Sequence, residues 1–322
     1  MKYRFILLCG PLLPLFCTCR KVPQKDYRQE MRSLVQEISA YARSQDPAFI
    51  VIPQNGQELL SSNGAADGIA DAAYLAAVDG CGREDLFYGY TGDNKATPAA
   101  ERSYMLGWCK RWRDAGKTVM VTDYCSDPEK MDDSYTQNSQ QQFISYAAAE
   151  RNLDQLPVYP AQPFQANSNS VVQLNQARNF LYLINPGKYA SKSAFLQAVQ
   201  QSGHDIIIMD AFFNEEEFSP AEIESLKTKA DGATRLVIAY MSIGEAENYR
   251  YYWKKDWKPG NPSFVYRKNP DWKGNFKVFY WDPAWKAIIT GNTASYTQKL
   301  LNAGFDGVYL DIIDAFEYYE NP

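Results

Sequence analysis

Two hydrophobic rhythms alternate along this chain. Short apolar runs bounded by Gly, Asn or Asp are separated by longer segments whose apolar residues recur at helical spacing, the pattern of a parallel sheet with crossover helices. The runs predict strands at residues 49–52, 74–78, 118–122, 180–184, 206–209, 236–239, 278–280 and 307–310. Helices are predicted between them, among others at 99–115, 141–152, 191–202, 220–230 and 293–303. Eight strands with intervening helices, and no Gly-rich dinucleotide fingerprint, favour an α/β fold of the closed (β/α)₈ TIM-barrel type over an open doubly wound sheet.

The order of elements is unusual at both ends. The segment 27–43 places Met31, Leu34, Val35, Ile38 and Tyr41 on one helical face, with no strand before it. The strand at 307–310 has only a short tail behind it. Joining the two completes one βα unit, so the first helix is expected behind the last strand, in a single domain spanning 27–322. The polar stretch 165–176 reads as an exposed linker within it.

Residues 1–19 read as an export segment. Lys2 and Arg4 precede an apolar run at 5–16, too short to span a bilayer but suited to a signal-peptide core. Cys17 and Cys19 close that run as in a bacterial lipoprotein cleavage site, and Cys19 is the expected lipidated residue, with 20–26 as a tether. An outer-membrane or cell-surface lipoprotein follows, held to the membrane by its anchor only. Phe16, Cys17 and Thr18 depart from a regular lipobox, which leaves periplasmic or secreted release as the alternative.

Composition narrows the chemistry. A net charge of −5 with interspersed signs gives no basic stripe for nucleic acid. The one histidine, His204, precedes its strand at the end opposite a barrel's active face. That excludes Ser-His-Asp catalysis and multi-histidine zinc sites. No phosphate-binding loop is present, and no cofactor or metal is implied. Cys81, Cys109 and Cys125 lack metal-ligand spacing and read as buried thiols, with room for one disulfide. The many aromatic residues suit either sugar rings or a core.

The strand ending Val308-Tyr309-Leu310-Asp311 is the most telling segment. A carboxylate at the carboxyl end of a barrel strand stands where such enzymes do chemistry, and the plainer reading is an N-cap of a following helix. Asp306, at the start of the same strand, is assigned to turn structure.

Three stretches, 239–247 with Arg250, 280–282 and 304–314, resemble glycoside hydrolase family 114, the endo-α-1,4-polygalactosaminidases. The likeness is to the bacterial branch once labelled cysteinyl-tRNA-synthetase-related extracellular proteins. Segments 50–56, 79–88 and 121–124 resemble the same family, but the two halves stand in exchanged order, as in a circular permutant. The resemblance implies a TIM barrel, an amino-sugar polysaccharide or oligosaccharide substrate, Asp311 as nucleophile and Glu84 as acid/base. It further implies a retaining reaction, whose two carboxyl groups stand about 5–5.5 Å apart. Asp210, Tyr240, Glu247, Trp281, Asp282, Asp123, Tyr124, Gln54, Asn55 and Tyr309 are the expected substrate-binding residues. For several of them a structural role competes: Asp282 precedes Pro283 at a helix start, Glu247 can pair with Arg250, and a Glu84 beside Arg83 can belong to a surface turn. Tyr309 stands where many members carry an acidic residue. The second reading is a non-catalytic carbohydrate-binding lipoprotein on the same scaffold.

Overall fold

The computed structural model describes residues 22–321, so the expected signal segment and Cys19 lie outside the described residues. Eight parallel strands carry the fold: β1 (Ile50–Pro53), β2 (Gly80–Glu84), β3 (Thr118–Tyr124), β4 (Ile144–Ala148), β5 (Leu181–Leu183), β6 (Ile206–Asp210), β7 (Leu236–Ser242) and β8 (Gly307–Asp311). They form two sheets, β1-β8-β7-β6-β5 and β2-β3-β4. A single parallel bridge, Gln54 to Gly82, joins β1 to β2. Between β4 and β5 no ladder forms among the described residues, so the hydrogen-bonded ring expected of a closed barrel is interrupted there. At that seam the rings of Tyr146 and Phe180 meet, with centroids 5.9 Å apart.

Two of the eight expected strands are misplaced. Residues 74–78 lie largely in a helix, Ala72–Ala77, because the Asp71 side chain caps it by accepting from Tyr74 N at 2.8 Å. The strand follows at Gly80–Glu84, where two glycines and two charged residues hide the β pattern. Gly82 is required there: a Cβ would stand 1.9 Å from the Tyr309 hydroxyl. The segment 278–280 follows an antiparallel strand, Asn275–Val278, in a small side sheet with Glu245–Glu247 and Val265–Lys268. The expected helix at 141–152 instead contains β4, since the helix stands earlier, at Pro128–Gln140, with Asp127 as N-cap and Pro128 in its first turn.

The chain ends meet as the element order predicts. β8 pairs in parallel register with β1, Val308 opposite Val51. The first helix, α1 (Tyr27–Arg43), packs among the helices Ala72–Ala77, Tyr296–Ala303 and Ala315–Glu320, and Met31, Leu34, Val35, Ile38 and Ala42 enter the core. Tyr41, expected on that face, is half-buried and donates to Gln298. Arg28 grips Glu320 with two hydrogen bonds of 2.8 and 3.0 Å, tying the first helix to the last.

The stretch 165–176 is not a free linker. Val171 and Leu174 are buried, and Lys229, itself fully buried, donates to the carbonyls of Asn167 and Asn169 and to Asp205 at 3.1 Å. Asp205 also accepts from Asn167 Nδ2 and Arg178 N. Asp306 does serve its turn, accepting from Val237 N and pairing with Lys227. Replacing Lys229 by Met leaves Asp205 buried without its counter-ion, at a cost of about 3–5 kcal/mol. Chemical denaturation should show that loss, and a change below about 1 kcal/mol would mean that the pair does not hold the connection in place.

Candidate active site

The strands deliver their carboxyl ends to one cavity of about 570 Å³. Glu84 ends β2, Asp210 ends β6, Asp311 ends β8, and Tyr240 on β7 stands in register opposite Asp210 and Tyr309. Each segment then turns sharply. Asn55, Asp85 and Ile312, the residues following Gln54, Glu84 and Asp311, adopt left-handed φ of 61°, 59° and 57°. For the β-branched Ile312 that conformation costs on the order of 1–3 kcal/mol. Gly244 stabilises the same turn from outside: a Cβ there would lie 2.3 Å from the Ile312 carbonyl oxygen, so the glycine of the β7 motif lets two backbones touch.

Both candidate acids are held by a tyrosine hydroxyl. Tyr240 donates to Asp311 Oδ2, while the Asp311 Oδ1 atom accepts from Ile312 N at 2.7 Å. Tyr124 donates to Glu84 Oε1, and Asn55 Nδ2 donates to Glu84 Oε2 at 3.0 Å. Asn55 Oδ1 in turn accepts from Glu84 N at 3.2 Å, which locks β2 to the turn after β1. Gln54, buried beneath, accepts from Tyr182 at 2.8 Å.

The electrostatics is lopsided. Burial, then the nearby charge of Glu84, pushes the Asp311 carboxyl up to about 7, against the hydrogen bonds from Tyr240 and Ile312 N that favour its ionised form. Asp314, on the same wall, is raised to about 6 by burial and by Glu84, with Arg83 opposing. Arg250 bridges Asp210 at 2.7 Å and Glu247 at 2.5 Å, and Glu247 also accepts from Tyr249. Arg151 covers the Tyr124 ring at 4.0 Å and pairs with Asp85 and Asp93. Among the described residues no ion pair reaches Glu84, Asp311 or Asp314.

Eight of the expected residues therefore line the cavity: Asp311, Glu84, Asp210, Tyr240, Glu247, Tyr124, Gln54 and Asn55. Four do not. Asp123 is fully buried and accepts from Phe87 N, Tyr88 N, Ser134 and Asn138, shaping the loop after β2. Asp282 caps the helix Pro283–Ile289. Trp281 is packed among Tyr27, Phe279, Tyr280 and Tyr319. Tyr309 lies inside the strands against Tyr182 and Gly82. Pattern reading passed over Arg250, Tyr182, Tyr249, Arg151, Asp314 and Trp272, all of which line the cavity. Arg250 and Asp314 sat within the motifs that were read, whereas Arg151 follows a strand mistaken for a helix. His204 is buried away from the cavity, its pKa lowered to about 3 by burial. Cys81, Cys109 and Cys125 are buried free thiols.

The fold and cleft together define an α/β protein of parallel sheets with a two-carboxylate site at the strand ends. A family model, glycoside-hydrolase family GH114, matches residues 160–322, half of the chain, and the chain belongs to that family. It is 41% identical over 126 residues to an uncharacterized protein of Deinococcus radiodurans, 39% of this chain and 38% of that protein. Over 158 residues it is 40% identical to an uncharacterized protein of Methanocaldococcus jannaschii, 45% of this chain and 43% of that protein. The matched stretches thus span about two-fifths of each relative's length.

The raised Asp311 carboxyl sets a pH dependence of stability. Folded Asp311 keeps its proton up to about pH 7, while the unfolded side chain releases it near 3.8. The folded state binds more protons across that window, so stability falls as pH rises through it. Asp311→Asn removes the conflict. It should raise the melting temperature at pH 8 by about 2 °C or more and leave it nearly unchanged at pH 4; equal effects at both pH values would contradict the burial of this charge.

Proposed function

We propose that the chain is a retaining glycoside hydrolase acting on an amino-sugar polysaccharide of galactosamine type, with Asp311 as nucleophile and Glu84 as general acid and base. The observation that carries this reading is the meeting of Asp311 and Glu84 in one cavity, each fixed by a tyrosine hydroxyl. In the first step Asp311 attacks the anomeric carbon while Glu84 gives its proton to the departing oxygen. In the second, Glu84 takes a proton from water, which displaces Asp311 from the sugar. Three carboxyl groups without a counter-ion, Glu84, Asp311 and Asp314, favour a substrate bearing ammonium groups. Such a group entering beside Asp311 lowers its pKa, so that the one proton the pair holds passes from Asp311 to Glu84, which carries it to the departing oxygen.

The scaffold of this proposal is a (β/α)₈ barrel whose last seam is closed by Tyr146 and Phe180 rather than by backbone pairing. Its chain order is circularly permuted. The family match beginning at residue 160, just before the 165–176 connection, supports that order, as does the pairing of β8 with β1. Export, with Cys19 as the lipidated residue, completes the proposal and puts the site in reach of extracellular polymer. Mass spectrometry of the membrane fraction should find the acylated cysteine at the new N-terminus, and an unmodified N-terminus would contradict the anchor.

On an α-1,4-linked galactosamine polymer, Asp311→Asn and Glu84→Gln should each lower turnover, by roughly 10²–10⁴-fold for loss of the acid/base and more for the nucleophile. Azide should partly restore an Asp311→Gly variant and yield a glycosyl azide of inverted configuration. The reactive pair keeps one proton, on Glu84, beside an ionised Asp311, and it loses that last proton near 7, so kcat/KM should fall as pH rises through about 7. Tyr240→Phe removes a donor to the ionised form and should move that limb upward. Equal cleavage by wild type and both carboxyl variants would overturn the assignment. Binding without cleavage by the wild type would establish the carbohydrate-binding alternative.

A further inference from the structure

Beside the main cavity lies a second pocket of about 250 Å³, and the two share Trp272, Ile312 and Asp314 as a common wall. Trp272 stands at the turn between the antiparallel strands Val265–Lys268 and Asn275–Val278. The residue is 57% exposed, in a protein whose other tryptophans are at least half-covered. Each of the other six packs against a second ring or a guanidinium, whereas Trp272 has neither partner among the described residues. An indole held in the open over a polar cleft loses hydrophobic stabilisation unless something covers it.

The turn that holds it is built rather than loose. Glu245, 2% exposed beneath the turn, accepts from Asn269 Nδ2 at 2.9 and 3.1 Å and from Asn275 Nδ2 at 3.2 Å. The turn that carries the indole is thus held by the side sheet. Across the shared wall, the Asp314 carboxylate accepts no hydrogen bond from another residue among the described residues, and its charge is opposed by Glu84 and only partly offset by Arg83.

We infer that Trp272 and Asp314 form a sugar-binding subsite next to the reaction centre, with the indole as a platform for a pyranose face and the Asp314 carboxylate as acceptor for that ring's amino group. The inference rests on the amino-sugar reading above, and it assigns the second pocket to the unit adjoining those at Asp311 and Glu84. The pocket admits one ring, and its continuity with the main cavity lets a chain run through both. Trp272 and Asp314 touch the neighbouring unit, not the reacting bond.

Binding can be measured apart from turnover. Glu84→Gln is titrated by calorimetry with α-1,4-linked galactosamine oligomers of increasing length, alone and combined with Trp272→Ala or Asp314→Asn. Affinity should step up on the order of tenfold when the oligomer becomes long enough to enter the second pocket. That step should vanish with Trp272→Ala, while the shortest oligomers that bind lose little. Asp314→Asn should weaken the step for amino sugars and spare it for the N-acetylated oligomers. A length step unchanged in Trp272→Ala, or no binding of any oligomer, overturns the subsite. A step that is present and lost in Trp272→Ala, in a protein whose wild type never cleaves, keeps the subsite and removes the hydrolase.

Discussion

Two carboxyl groups, Asp311 and Glu84, stand within electrostatic reach of each other, and among the described residues no ion pair reaches either. Like charges in so little water cannot both be ionised at low cost, and the raised Asp311 carboxyl expresses that conflict. The structure answers with fixed donors: a tyrosine hydroxyl for each acid, an amide from Asn55 and the backbone N–H of Ile312. Those donors are themselves held. Tyr240 belongs to β7, Tyr124 to β3 and Asn55 to the turn after β1, so the pair depends on at least four strands ending at the same level.

That requirement explains where the fold spends its stability. The left-handed turn at Ile312 raises the energy of the site, Gly244 gives that turn room, and the surrounding apolar strands offset the strain. The pairing of β8 with β1 matters for the same reason. Asp311 lies at the end of the last strand, where a fraying terminus would carry it away, and α1 with its Arg28–Glu320 link restrains that end.

Most of this was legible in the sequence where the pattern was long or the motif chemical. Strands β3, β5, β6, β7 and β8 stand out as apolar runs, and Asp311 and Glu84 were found through motifs that extend beyond them. β2 was hidden because its sequence, Gly-Cys-Gly-Arg-Glu, is dictated by what it must avoid: Gly82 makes room for Tyr309, a constraint from a distant strand that no local pattern reports. β4 was masked by a run of residues compatible with either period. Trp281, Asp282 and Asp123 were expected at the rim because they follow or end apolar segments, yet a packed ring cluster, a helix cap and a loop bracket claim them. Trp272 could not be singled out, since exposure of one tryptophan among seven is decided only by the folded side sheet.

The most direct test of the carboxylate pair is covalent trapping. The protein is treated with an activated fluorinated galactosaminyl donor that forms the glycosyl-enzyme faster than water releases it, and the digested protein is mapped by mass spectrometry. The account expects one adduct, on the peptide containing Asp311, absent from Asp311→Asn and slower to form in Glu84→Gln. An adduct on another cavity residue, or equal labelling of the wild type and Asp311→Asn, would contradict it.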